Sequence, residues 1–109
     1  MLNKVMMTGR LISEPALTTE NGCRCCRISI AVDQPKRKGF DTVGSDIFNC
    51  IAHERNADMM NDLFSLGDLI TMVGSLRNVP DHSAEIVVQE VHISGGKQAA
   101  ITGDTGILS

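Results

Sequence analysis

Lys36-Arg37-Lys38 is the densest run of positive charge in this 109-residue chain, and Phe40 follows two positions later. Cations grouped in this way can neutralise about two or three phosphates, and an exposed ring beside them can stack on an unpaired base. The plainer reading is a solvated basic loop. Phe40 has no packing reason to sit in such a loop, which makes it a stacking candidate. Arg10, Arg55 and Arg77 stand beside expected strands, where they can extend a phosphate track or simply face water. His53 offers a flat ring that gains charge as pH falls toward its ordinary value near 6.5.

Cys23, Cys25, Cys26 and Cys50, with His53 three residues after Cys50, invite a zinc reading. The spacing argues against it: neighbouring strand residues point to opposite faces, so Cys25 and Cys26 do not readily serve one tetrahedral site, and no Cys-x-x-Cys pair is present. Small buried hydrophobes with one exposed thiol are expected instead. His53-Glu54 lacks the second His of a zinc-protease motif. With no nucleophile elbow, phosphate loop or metal motif, no enzyme activity and no cofactor are expected.

Hydrophobic residues make up 42% of the chain and charged residues 21%, the balance of one globular domain. No stretch approaches the roughly 18 consecutive apolar residues a spanning helix needs, and Met1 to Arg10 lacks the pattern of an export signal. A cytoplasmic protein with reduced thiols is expected, without membrane association. The net charge of −3 gives no global attraction for nucleic acid, so binding must use local clusters.

Positioning such residues requires strands. Val5 to Met7 opens a short apolar run that Gly9 ends in a bend or bulge. Ser13 to Gly22 is polar and closes on Asn21-Gly22, a strong hairpin-turn signal. In the strand from Cys23, Ile28, Ile30 and Val32 alternate with Arg27, Ser29 and Ala31. Cys23 and Cys25 take the other parity, so a bulge between Cys25 and Ile28 is required if both sets face a core. Asp33 to Ser45 is a loop.

Asp46 to His53 is the third strand, with Phe48, Cys50 and Ala52 inward and Ile47, Asn49, Ile51 and His53 outward. Asn56 to Leu66 reads as a short amphipathic helix in which Met60, Leu63 and Phe64 face the core, Asn56 caps the start and Gly67 the end. Phe48 and Phe64 are therefore packing residues. Strands over Leu69 to Leu76 and Ile86 to Ile93 flank a turn containing Pro80-Asp81. Residues 1–94 form the domain, and 95–109 a Gly-rich flexible tail.

Three strands, a helix and two strands is the element order of the OB-fold, an all-β, five-stranded Greek-key barrel, although a small mixed sheet with one helix has the same order. Asn3, Val5, Gly9-Arg10-Leu11, Pro15, Leu17, Gly22, Ala31-Val32, Asp46, Asn49-Cys50-Ile51-Ala52, Ala57, Gly67 and Gly74 occur in an order and spacing that resembles the bacterial and phage single-stranded DNA-binding family. The likeness covers Met1 to Leu76, and more loosely extends to Ile93. It implies the OB-fold, with one helix between the third and fourth strands.

It also implies sequence-independent binding of single-stranded DNA in replication, repair or recombination. In the family, Lys and Arg follow the phosphates while aromatic rings stack on bases, each stack contributing about 1 to 3 kcal/mol. The stacking positions on the third strand match Ile47 and His53, of which only His53 carries a ring. The family's other rings correspond to none here, so weaker stacking is expected. A homotetramer is implied, with a dimer as the lesser possibility. The chain ends Gly106-Ile107-Leu108-Ser109 rather than in an acidic tail with a terminal Pro-Phe, so recruitment of other proteins through such a tail is not expected. A second reading is an OB-fold protein-interaction module that has lost strand binding and assembles with a single-stranded DNA-binding protein or primosome component.

Overall fold

Alternation of apolar and polar residues builds most of the molecule, and the computed structural model describes residues 1–34, 39, 44–81 and 83–93. The elements are β1 (Val5–Leu11), β2 (Ala16–Glu20), β3 (Cys23–Asp33), β4 (Ser45–His53), α1 (Arg55–Leu63), β5 (Leu69–Asn78) and β6 (Ala84–Ile93). Five of the strands run in the order β1-β5-β6-β4-β3, and β3 returns to β1 through Arg10↔Ala31 and Leu11↔Ile30, closing a barrel. All pairs are antiparallel except β4 with β6, which run parallel over Asn49↔Glu85, Cys50↔Ile86 and Ile51↔Val87. With α1 between β4 and β5, this is the OB-fold.

The sixth strand, β2, lies within the polar segment Ser13 to Gly22, where the sequence pattern predicts no strand. Every residue in it is exposed, and it pairs only with β3, from Ala16↔Arg27 to Glu20↔Cys23. Asn21 and Gly22 both have positive φ, 52° and 79°, as a two-residue hairpin turn matched to strand twist requires. The eleven-residue β3 thus serves two partners on one edge, β2 in its first half and β1 near its end.

It does so without the bulge considered between Cys25 and Ile28. The β3–β4 register is unbroken from Cys25↔His53 to Asp33↔Ser45, because Cys26 rather than Cys23 or Cys25 shares the inward parity of Ile28 and Ile30. Nor does β1 end at Gly9. The strand continues to Leu11, and buried Gly9 lies where β3 approaches closely: a Cβ there would stand 3.0 Å from the Ala31 carbonyl oxygen. The ladder's register shift falls instead between Val73 and Gly74, opposite an extra residue, Gln89, in β6.

Inward residues from every barrel strand meet Ala57, Met60 and Phe64 in one core, with Ile30, Ala52, Met60, Ile70 and Met72 fully buried. Each large side chain buried this way contributes about 1.5 to 3 kcal/mol. Phe48 packs against the same core from β4. The helix starts one residue earlier and ends three earlier than its pattern suggests. Asn56 does not cap it; its amide donates to the carbonyls of Val88 and Gln89. At the other end the Asp68 carboxylate accepts from the Ser65 amide at 2.9 Å, and Phe64 is extended, which stops the helix while leaving the Phe64 ring buried.

Candidate nucleic-acid interface

Outward parity on β3 and β4 sets Ala31, Ser29, Arg27 and Cys25 beside Ile47, Asn49, Ile51 and His53, in that register. Six residue steps of strand separate Ile47 from His53, about 20 Å at the usual rise. Ile47 is 56% exposed at one end of this line, and His53 is half-buried at the other. Ile51, although outward, is only 1% exposed, with Arg27 and Val87 as its register neighbours.

Above this face lies an open groove of about 650 Å³. Its floor includes Arg27, Ser29 and Asn49, one wall is the β1–β2 connection with Ser13 and Glu14, and the other is the β5–β6 hairpin with Arg77, Pro80, Asp81 and Glu85. Ser29 donates its hydroxyl to the Asn49 side-chain oxygen at 2.9 Å, and the amide nitrogen of Asn49 has no partner among the described residues. The Asp81 carboxylate accepts from the amide and hydroxyl of Ser83, which hold it below the usual carboxylate range and keep the short hairpin tight.

Charge on these walls is net acidic rather than basic. The two arginines face Glu14, Asp81 and Glu85. Arg77 donates to Glu85 through Nε at 3.2 Å and Nη2 at 2.9 Å, while Arg27 pairs with Glu20 and stands 3.9 Å from Glu85. The Arg27 guanidinium holds the Glu20 carboxyl below its ordinary value, and Glu20 in turn raises that of Arg27.

The cations expected from sequence are not gathered at one place. Arg77 lines the groove. Arg10 does not: its guanidinium donates to the Gly67 carbonyl at 2.7 Å and ties β1 to the turn before β5. Arg55 lines a separate depression of about 360 Å³ between α1 and β6, with Met59, Val91 and His92. Lys36, Arg37, Lys38 and Phe40 lie outside the described residues. The backbone flanking them is pinned by Gln34 N–H donating to the Gly44 carbonyl at 2.9 Å and by the Gln34 side chain donating to Asp46 at 2.8 Å. Ile47 follows immediately.

Sequence reasoning passed over Arg27, Ser29, Asn49 and Glu85 as site residues. Arg27 and Ser29 were legible as outward residues of β3, and Asn49 as an outward residue of β4. The spacing of cations along the chain does not show where carboxylates fall, and the pairing of Arg77 with Glu85 across a hairpin shows only once register is known.

The cysteines offer no chemistry at this face. All four are free, and Cys25, Cys26 and Cys50 are buried. Burial pushes the Cys50 thiol up to about 12, and a hydrogen bond to Glu54 pushes half-buried Cys23 up to about 11. Among the described residues no group of three or more His, Cys, Asp or Glu side chains is placed to hold a metal ion. Nor is any described helix long and apolar enough to cross a membrane.

The chain is similar to known proteins over most of its length. The model of the single-strand binding protein family matches residues 2–94. Single-stranded DNA-binding protein 1 of Staphylococcus aureus is 32% identical over 79 residues, covering 72% of this chain and 47% of that protein. Single-stranded DNA-binding protein of Fusobacterium nucleatum is 33% identical over 79 residues, covering 70% and 51%. The chain therefore spans about half the length of these curated relatives. Among solved structures, the second single-stranded DNA-binding protein of Mycobacterium smegmatis superposes with a TM-score of 0.71 at 16% identity, covering 84% of this chain and 88% of that one. The SSB domain of a Synechococcus protein superposes with a TM-score of 0.67 at 18% identity, covering 84% and 96%.

Proposed function

The chain belongs to the single-strand binding protein family, and from that premise we propose that it binds single-stranded DNA without regard to sequence, along the outward face of β3 and β4. The observation that carries this reading is the open groove on that face, lined by half-exposed Arg27 and Arg77 with Ser29 and Asn49 between them; Ile47 and His53 lie on the same face of β4, beyond the groove's lining. Arginines of this kind contact phosphates and a flat surface beside them accepts bases, neither of which distinguishes one base from another. The protein acts by binding, not catalysis, and serves replication, repair or recombination in the cytoplasm.

Binding rests more on phosphate contacts than on stacking, since aromatic residues make up 3% of the chain and Ile47 stands where a ring is usual. Anisotropy of a labelled oligothymidine, titrated at several salt concentrations beside a duplex control, tests this directly. We expect a single-strand preference whose log affinity falls with log salt by about 0.7 per phosphate contact. Absence of single-strand binding at low salt would sink the proposal.

A homotetramer fits the same function, because one strand wrapping several weak grooves gains avidity without new contacts. Supporting it, Met6 projects outward from β1 at 70% exposure, directly across from Val73 of β5, and Leu69 is 43% exposed on the same face. Light scattering should return about four times the chain mass of 11.7 kDa; a monomer at micromolar concentration would refute the assembly.

A further inference from the structure

Given single strands bound in this groove, as proposed above, we infer that Glu85 is a built-in counter-ion that competes with the strand's phosphates for Arg27 and Arg77 and so limits affinity. Its carboxylate bridges the two guanidiniums, at 2.9 Å from Arg77 and 3.9 Å from Arg27. The arginine side chains are 49% and 47% exposed, whereas that of Glu85 is 11% exposed. The cations therefore face the ligand while the anion they share lies beneath; Arg27 also pairs with the exposed Glu20 carboxylate, so Arg77 is the cation that Glu85 holds most directly.

Register places this network across the middle of the binding face. Glu85 stands beside Asn49, and Arg27 beside Ile51, so Arg27 and Glu85 meet over β4 midway between Ile47 and His53, with Arg77 joining Glu85 from β5. A strand running along β4 must pass over them. A phosphodiester and a carboxylate are alternative acceptors for the same guanidinium fork. For a phosphate to take Nε and Nη2 of Arg77, Glu85 must release them, and being nearly covered it cannot swing into water. It then remains as a like charge beside the phosphate, and fewer counter-ions are released on binding than two free arginines would release.

Glu85→Gln keeps the shape and an oxygen acceptor for Arg77 while removing the charge. Measured by anisotropy of labelled oligothymidine with the full chain, this variant should bind about 15-fold more tightly at about 20 mM salt and about threefold at about 200 mM, a salt slope steeper by about 0.7. A structural role alone would not move that slope. A paired comparison protects the test against effects on folding: Arg77→Ala leaves Glu85 with only the more distant Arg27 and should weaken binding, and Arg77→Ala/Glu85→Gln should recover part of the loss. Binding by the wild type with Glu85→Gln unchanged or weaker, and no recovery in the double variant, would overturn the role of Glu85 alone. No binding by any of these proteins would overturn the reading of the groove together with it.

Discussion

Ile47→Trp should bind oligothymidine about 5- to 150-fold more tightly than the wild type, the equivalent of one added base stack of about 1 to 3 kcal/mol. Ile47 is outward on β4 and 56% exposed, and its cross-strand neighbour is the small Ala31, so an indole can lie over the sheet without displacing core atoms. Trp is also well suited to a strand, so no loss of thermal stability is expected. Ile51→Trp is the matched control. It has the same strand and the same parity, but Ile51 is 1% exposed, and a larger side chain there costs about 1 to 3 kcal/mol of stability through overpacking. Titration by anisotropy and melting by circular dichroism separate the two effects. Unchanged affinity in a folded Ile47→Trp would mean that the strand does not run along β4.

That contrast within one strand shows what periodicity carries and what it omits. Alternation correctly placed Phe48, Cys50 and Ala52 inward and Ile47, Asn49, Ile51 and His53 outward, because inward residues must be apolar wherever one sheet face meets the core. It did not distinguish exposed Ile47 from buried Ile51, since the cover over Ile51 comes from other strands. The Asn21-Gly22 turn was legible because its positive φ values restrict residue type locally. Strand β2 was not: exposed along its whole length, it leaves no apolar record, and only pairing with β3 makes it a strand.

Long-range electrostatics escaped for a similar reason. Arg10 looked available for phosphate, yet it holds the Gly67 carbonyl 57 residues away. Arg27 meets Glu85 across 58 positions of sequence, a distance that the pairing of β4 with both β3 and β6 removes. Charge counted along the chain therefore overstated the free cations at the site, whereas the family likeness carried the fold because its glycines and core residues mark backbone geometry.

Gly74→Ala should be the most destabilising single-methyl change in the barrel, at about 3 kcal/mol, which lowers Tm by about 12 to 24 °C for a domain of this size. Gly74 does not occupy the left-handed region; room is what it lacks. A Cβ at this position would overlap the Val87 carbonyl oxygen and stand 3.0 Å from the Val87 carbonyl carbon and 3.1 Å from Ile86 Cγ2. Neither neighbour can retreat cheaply. Gly74 sits at the register shift between β5 and β6, and Val87 is paired on its other side with Ile51 of β4, so moving that peptide disturbs the only parallel ladder among the described strands. Gly22→Ala provides the comparison: nothing lies within 4 Å of its would-be Cβ, and the cost is confined to a φ of +79°, about 1 to 2 kcal/mol. If Gly74→Ala melted as high as Gly22→Ala, the bulge would have to be soft enough to slide, and the barrel's closure would then depend on the β1–β3 pairing rather than on the packing of β5 against β6.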